Sequence, residues 1–195
     1  MQLIALYHEG GFIMHPLLGC LIISISVAIE KIITLNKLKK DSKSISEAFN
    51  SQEKIDGFNQ YIAQPYQAIK KFEKLGKAEV KENSSRLADQ LNKKLSGSTW
   101  IIGTVASSAP FIGLLGTVVG IIKSFESISQ AGKGGFAIVA ADLSEALIAT
   151  AAGILVAVIA LILFNYIKQK SKDVMNQYNA ELEENIENIF LNKEL

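Results

Sequence analysis

Two threonines and one glutamate stand in or beside long apolar stretches, where polar groups are rare. Thr117 lies within the run 101–122, Thr150 lies within the run 146–164, and Glu145 immediately precedes the second run. Neither run contains Asp, Glu, Lys or Arg. Polar groups inside or at the boundary of a membrane are costly and tend to mark a path for ions or protons. These residues therefore indicate a channel or a transporter.

Small residues accompany the threonines at helical spacing. Steps of three or four residues join Gly103, Ala106, Pro110, Gly113, Thr117 and Gly120 in the first run, and Ala146, Thr150, Gly153 and Ala157 in the second. In lipid, helices associate through the close approach that small residues permit. A chain with only three apolar runs offers these faces no large partner, so we expect them to close a ring between subunits. The residues assigned to helix packing and to a helix kink are Pro110, Gly113, Gly116, Gly120 and Gly153.

Each of these polar groups also has a purely structural interpretation. A threonine hydroxyl can donate to its own helix carbonyl four residues earlier, which would account for both Thr117 and Thr150. Glu145 could be an interfacial carboxylate beside Asp142, outside the hydrocarbon. Pro110 removes one helix hydrogen bond, which either exposes a carbonyl or only eases packing.

The apolar residues of the chain are bunched into blocks, which membrane insertion explains better than a soluble core does. The chain has 195 residues with 49% apolar content and a mean hydropathy of +0.24. A further uncharged run, 12–29, precedes the two already described. Each run has about the 20 residues that a helix needs to cross a hydrocarbon core of about 30 Å. We therefore predict an all-α integral membrane protein with three transmembrane helices. Residues 1–11 carry no Lys or Arg, so the first run is expected to be a retained helix rather than a signal peptide.

Basic residues are distributed unevenly along the chain, and this predicts its orientation. The segment from Lys37 to Lys94 contains 13 Lys plus Arg, whereas only Lys123 and Lys133 lie between the second and third runs. The positive-inside rule then places the N-terminus in the periplasm and the C-terminus in the cytoplasm. The predicted order is a periplasmic segment 1–11, a first span 12–35, a cytoplasmic helical domain 36–98, a second span 99–125, a periplasmic loop 126–138 with a Gly-rich turn, a third span 139–168 and a cytoplasmic helix 169–195.

The cytoplasmic segments are expected to be helical extensions of the spans. Leu87, Leu91 and Leu95 share one helical face, which predicts one long helix leading into the second span, with Gly97 as the point of possible disturbance. Ser44 with Glu47 fits the pattern of a capping box at a helix start. The third helix is predicted to continue to Phe190, about 80 Å in all at 1.5 Å per residue.

Composition and motifs exclude several classes of function. A net charge of +1 argues against a nucleic-acid-binding protein. The sequence has no metal-ligand spacing, no nucleotide-binding loop and no nucleophile–base pair, so we expect no enzymatic activity and no cofactor. The single Cys20 can form no internal disulfide.

Two longer motifs carry a resemblance to a known family. Residues 109–120, APFIGLLGTVVG, closely resemble the second-helix signature of the MotA/TolQ/ExbB proton-channel family, and residues 143–154, LSEALIATAAGI, resemble its third-helix signature. The three-span layout and the beginning Gly10 to Leu17 look like short ExbB-type members, rather than flagellar MotA with its four spans. One departure concerns the run Val156 to Ala160, where the family often has a proline and this chain has none, so a bend there is in doubt.

The resemblance implies a homopentameric ring in the bacterial inner membrane around the single-span helices of an ExbD-like or TolR-like partner. By this resemblance Thr117 and Thr150 line the pore near a protonatable aspartate of the partner, and Glu145 belongs to the same proton path. The transported ion would be H⁺. The ring would drive rotation of the partner and, through a TonB-like or TolA-like protein, energise TonB-dependent outer-membrane transport.

Two alternatives remain beside this ExbB-like interpretation. A TolQ-like subunit of the Tol-Pal envelope-constriction system has the same helices. A non-conducting membrane scaffold would need the small-residue faces, and would need neither Glu145 nor the hydroxyls. Na⁺ is the alternative to H⁺ as the transported ion.

Overall fold

The computed structural model describes residues 10–51, 55, 57–131 and 136–194, although the side chains of residues 130–131, 136–139 and 192–194 lie outside this description. It contains five α-helices in the described ranges: α1 (Met14–Asn50), α2 (Gln60–Phe72), α3 (Lys77–Ser96), α4 (Thr99–Ala131) and α5 (Phe136–Glu194). A single 3₁₀ turn, Glu73–Leu75, joins α2 to α3. Most of the predicted N-terminal segment and residues 132–135 of the predicted Gly-rich turn fall outside the described residues.

Three of the helices are long and apolar enough to cross a membrane, as the sequence predicted. They are α1, α4 and α5, which have 37, 33 and 59 residues. At 1.5 Å per residue α5 is about 88 Å long, and it includes the continuation to Phe190 that was predicted. The described residues contain no β-strand. The fold is therefore an all-helical membrane architecture.

Three details of the helices differ from the sequence prediction. Residues 126–131 and 136–138 of the predicted loop 126–138 are helical, because α4 extends to Ala131 and α5 begins at Phe136. Ser44 and Glu47 lie deep inside α1, where the Ser44 hydroxyl donates to the Lys40 carbonyl at 3.2 Å, so the capping box is wrong. The apolar residues Ile45 and Phe49 are buried, and their packing favours continuation of the helix over a new start. The long helix expected before the second span is divided at Gly97, the point where a disturbance was predicted, because α3 ends at Ser96 and α4 begins at Thr99.

Residues 1–28 and 99–165 form one compact unit, here called the membrane unit. Its interior contains many small side chains, among them Ser24, Ala28, Ala109, Ala149 and Ala160, beside a few large ones such as Leu17 and Ile102, whereas many of its large apolar side chains are exposed. Phe111, Leu147 and Ile162 are examples, with exposures of 70%, 58% and 63%. This arrangement is the reverse of a water-soluble fold, and it suits a lipid environment, in which small residues allow helices to approach closely.

Residues 29–98 and 166–195 form a second compact unit, here called the extramembrane unit. Its core contains Ile45, Tyr66, Ile69, Tyr178 and Leu182, all buried. The Tyr178 hydroxyl donates to the Ile62 carbonyl at 2.8 Å, and its ring meets that of Tyr66 edge to face at 6.0 Å. Burial raises the pKa of both tyrosines, so they stay neutral at physiological pH.

Candidate functional site

The contact between α4 and α5 is made largely by backbone atoms. A Cβ atom on Gly113 would lie 3.0 Å from the Ala149 carbonyl oxygen and 3.0 Å from the Thr150 Cα, and a Cβ on Gly153 would lie 2.7 Å from the Ala109 carbonyl oxygen. Only glycine fits at such distances without moving the other helix. We name this contact the glycine seam and define it by Gly113, Gly116, Gly120 and Gly153.

The seam continues toward the C-terminal end of α4 and the N-terminal end of α5. A Cβ on Gly116 would lie 2.8 Å from the Ala149 Cβ, and a Cβ on Gly120 would lie 2.5 Å from the Ala146 Cβ. The expectation that the small-residue faces close a ring between subunits is therefore wrong for these glycines. The physical reason is that the two faces match each other, and α4 and α5 are consecutive helices that pack together within one chain. Pro110 lies inside α4, which continues through it.

Thr150 lies at the seam and links the two helices. Its hydroxyl donates to the Gly113 carbonyl at 2.8 Å, so it does not bond to its own helix. The close approach of the backbones at Gly113 brings that carbonyl within reach. The back-bonding interpretation of Thr150 is therefore wrong, and an interhelical hydrogen bond takes its place.

Thr117 does bond to its own helix, with one difference from the expected geometry. Its hydroxyl donates to the Leu114 carbonyl, three residues earlier, at 2.7 Å. Thr117 follows Gly113 by four residues, which is about one helical turn. A hydroxyl has one donor and two acceptor lone pairs. Both threonines therefore use their donors on carbonyls and retain only acceptor capacity for a further partner.

Glu145 lies at the end of the seam that is formed by the C-terminal part of α4 and the N-terminal part of α5, and two groups contact its carboxylate there. Lys123 of α4 forms an ion pair with it at 3.9 Å, with side chains 58% and 40% exposed respectively. Gly11, which has a φ of +65°, packs so closely that a Cβ there would overlap Glu145 Oε1. The conformation and the close contact both require glycine at this position. An exposed pair of this kind contributes at most about 1 kcal/mol, so the arrangement orients the carboxylate more than it stabilises the fold.

A cavity of 430 Å³ opens beside this carboxylate. Glu145 and Lys123 are its charged lining residues, and the rest of the lining is apolar or glycine, including Ile13 and Val119. A carboxylate in a partly enclosed apolar space can exchange a proton with water at the open side of that space. Among the described residues, no cluster of three or more potential metal-ligating side chains is present.

Two of these residues were not identified from the sequence as part of the site. Lys123 entered only as a charge between the spans, and Gly11 only as part of a family-like beginning. Both residues are far from Glu145 in the sequence. Contacts between distant segments depend on tertiary packing, which sequence spacing alone does not reveal. The sequence feature that could have predicted the Lys123–Glu145 pair is that each residue directly adjoins one end of an uncharged run.

The fold and the site together define a class of protein: a multi-pass helical membrane protein with a few polar groups within and beside its uncharged spans. The chain also matches the model of the MotA/TolQ/ExbB proton channel family over residues 55–180. It belongs to that family. Members of this family are channel or motor subunits rather than enzymes.

Three proteins similar to this chain carry names from two branches of the family, ExbB and TolQ. A biopolymer transport protein named ExbB-like 1, from Helicobacter pylori, is 30% identical over 182 residues, which is 89% of this chain and 90% of the relative. The biopolymer transport protein ExbB of Aquifex aeolicus is 41% identical over 91 residues, 47% of this chain and 62% of the relative. The Tol-Pal system protein TolQ of Pseudomonas aeruginosa is 38% identical over 86 residues, 44% of this chain and 37% of the relative. Similarity to both names leaves the ExbB and TolQ branches open.

Proposed function

We propose that this protein is a ring subunit of a proton-driven motor in the bacterial inner membrane. In this proposal five copies surround the single-span helices of an ExbD-like partner, and the assembly energises TonB-dependent outer-membrane transport. The N-terminus is periplasmic and the C-terminus cytoplasmic. A proton moving through 100 mV releases about 2.3 kcal/mol, so several protons must be coupled to each unit of work.

The observation that carries the proposal is the placement of Glu145. It adjoins the uncharged core of α5, its side chain is 40% exposed, and together with Lys123 it lines the cavity of 430 Å³. A carboxylate at the mouth of an uncharged span is a natural point of proton entry from the periplasm. The cavity of 430 Å³ beside it gives a side chain of a partner helix room to approach.

The threonines support the next step of the proposal. A hydroxyl that has already donated its proton to a carbonyl can only accept, and Thr117 and Thr150 are both in this state. Such acceptors favour the protonated form of a carboxyl group carried by a partner helix, because only that form can donate to them. They would equally coordinate a cation, so H⁺ is proposed here on the grounds of family membership.

Pentamer formation needs a surface other than the glycine seam, which is occupied within the chain. The exposed apolar side chains of α4 and α5, including Phe111, Leu114 and Leu147, are available for it. We therefore assign the ring contacts to these outward faces.

Replacing Glu145 with Gln tests the proposal, because Gln keeps the size and the hydrogen-bonding groups and removes ionisation. The expected result is a complex that assembles with its partner and fails to support siderophore uptake. Glu126→Gln is the matched control, since Glu126 is an exposed carboxylate at the same end of α4 and is expected to keep full activity. Full uptake by Glu145→Gln at wild-type expression would refute the proton-path role. Loss of the complex on detergent extraction would instead indicate a structural carboxylate.

A TolQ-like role in the Tol-Pal system is the second candidate, and the similarity to the Pseudomonas TolQ favours it. Expression of this chain, with its own partner gene, in strains that lack either system distinguishes the two. Restored siderophore uptake supports the ExbB role, and restored resistance to detergents supports the TolQ role. Failure in both, with a correctly assembled complex, would favour a non-conducting scaffold.

A further inference from the structure

A pocket of 240 Å³ lies in the extramembrane unit, between α1, the start of α2 and the end of α3. Its charged lining residues are three lysines and two carboxylates: Lys31, Lys37, Lys94, Glu30 and Asp41. Apolar side chains, among them Leu38 and Leu95, form part of the same lining. The pocket therefore combines an excess of positive charge with an apolar wall.

Lys31 has an unusual environment in this pocket. It is only 5% exposed, the lowest exposure of any charged side chain among the described residues. No described residue forms a hydrogen bond or an ion pair with it, and this includes the nearby Glu30 and Asp41. The Lys31 Nζ atom is not among the fully buried polar atoms that lack a partner, so the aliphatic stem is buried while the ammonium group remains accessible at the pocket. This ammonium group has no ion-pair partner among the described residues and is therefore available to a ligand in the pocket.

Lys94 is held at the same pocket by a contact with Tyr61. Its ammonium nitrogen lies 3.2 Å from the centre of the Tyr61 ring, and hydrogen bonding to Lys94, together with the Lys94 charge, lowers the pKa of Tyr61. A cation over an aromatic face is held electrostatically. This contact holds the Lys94 ammonium group beside the pocket, although Lys94 itself is an exposed residue.

The position of the pocket along α1 relates it to the membrane surface. Lys31 follows the uncharged run 12–29 by two residues, a rise of about 3 Å on the same helix. Ile29 and Ile33 beside it are 54% and 62% exposed, so the apolar surface of α1 extends to this level. Lysines at the end of an apolar span lie at the depth of lipid headgroups.

We propose that this pocket binds the phosphate of a membrane phospholipid headgroup, with Lys31, Lys37 and Lys94 around the phosphate and the apolar wall against the glycerol end of the lipid. Ammonium groups bind phosphate through charge-assisted hydrogen bonds. Glu30 and Asp41 disfavour a highly charged ligand and suit a headgroup with one phosphodiester, including one that also carries an ammonium group. Free inorganic phosphate shares part of this chemistry, and the apolar wall and the membrane level favour the lipid.

Native mass spectrometry of the full-length protein in mild detergent tests this proposal. The probes are dioctanoyl phosphatidylethanolamine, dioctanoylglycerol, which has the same tails and no phosphate, and inorganic phosphate. The test variant is Lys37→Gln with Lys94→Gln, and the matched control is Lys39→Gln with Lys93→Gln, which changes two exposed lysines of the same helices outside the pocket. Lys31→Gln is measured separately, because its burial links it to folding.

The phospholipid is expected to bind the test variant at least about tenfold more weakly than the wild type, and to bind the control within about twofold of it. Dioctanoylglycerol is expected to show no dependence on the lysines. Equal binding to the two double variants, or equally tight binding of dioctanoylglycerol, would overturn the proposal. So would a change in oligomeric state without a change in lipid binding, since the pocket would then receive a neighbouring subunit. Displacement of the lipid by millimolar phosphate would support the phosphate site and assign it to a soluble anion.

Discussion

At the scale of single residues, the direction of one hydrogen bond determines which further hydrogen bonds a hydroxyl can form. Thr150 donates across the seam to Gly113, and Thr117 donates along its own helix to Leu114. Both hydroxyls therefore keep acceptor capacity alone. A partner carboxyl group near them gains a hydrogen bond when it is protonated and gains none when it is ionised. The same side chains thus serve helix packing and the proposed proton path together.

The first prediction separates these two contributions at Thr150. Thr150→Val keeps the shape of the side chain and removes the interhelical hydrogen bond, for which membrane proteins lose about 0.6 kcal/mol on average. We expect assembly to survive this small loss while siderophore uptake falls. Thr150→Ser, which keeps the hydroxyl, is expected to retain uptake. Wild-type uptake in both Thr150→Val and Thr117→Val would show that the hydroxyls are only structural.

The second prediction compares two tyrosines in the extramembrane core. Tyr178 donates to the Ile62 carbonyl, whereas the buried Tyr66 hydroxyl lies near Ser46 and Asn185 without a hydrogen bond of good geometry to any described residue. Tyr178→Phe is expected to lower the free energy of unfolding by about 1 kcal/mol. Tyr66→Phe is expected to leave it unchanged or raise it, because it removes a buried polar group that lacks a partner. Thermal unfolding of the two purified variants checks this order, which a larger loss in Tyr66→Phe would contradict.

At the scale of helices, the α4–α5 contact shows how far sequence patterns reach. The periodic small residues correctly indicated tight helix packing, because a 3.6-residue repeat places them on one face. They did not indicate which helix that face would meet, and the assignment to a neighbouring subunit was wrong. Likewise, the uncharged runs predicted three apolar helices, whereas the Ser44 capping pattern failed because buried Ile45 and Phe49 keep α1 continuous. Lys123 and Glu145 pair across two helices, a contact that no local pattern encodes.

The third prediction tests the glycine seam by adding one methyl group. Gly113→Ala places a Cβ 3.0 Å from backbone atoms of α5, which must then shift. Overpacking of this kind costs about 1 to 3 kcal/mol. Gly19→Ala in α1 is the matched control, because its Cβ would meet no atom within 4 Å. We expect a lower unfolding temperature in detergent for Gly113→Ala and an unchanged or higher one for Gly19→Ala. Equal unfolding temperatures would contradict the seam.

At the scale of the whole molecule, orientation is the property on which the proposed direction of proton flow depends. The uneven distribution of lysine and arginine predicts that residues 36–98 are cytoplasmic and that the connection between α4 and α5 is periplasmic. Glu145 then faces the periplasm, from which protons enter. The opposite orientation would place the same carboxylate at the exit.

The fourth prediction measures this orientation with two cysteines in a Cys20→Ala background. Gly57→Cys and Ser129→Cys both introduce the thiol at exposed positions of the described chain. In intact cells with a permeable outer membrane, an impermeant thiol reagent is expected to label Ser129→Cys and to leave Gly57→Cys unlabelled. Both are expected to react after the inner membrane is opened, which controls for access. The reverse labelling pattern would overturn the topology.

The glycine seam also has an electrical consequence. Backbone lies against backbone at Gly113 and Gly153, and the Thr150 hydroxyl that enters the seam there is already bonded to a carbonyl. Packing this close leaves no room for a chain of water molecules between α4 and α5 at this point, so an inserted chain on its own is expected to be silent in a conductance measurement. Current then requires surfaces that only assembly brings together. A cell that synthesises these subunits before their partners would therefore keep its membrane potential, because the unassembled subunits would not conduct.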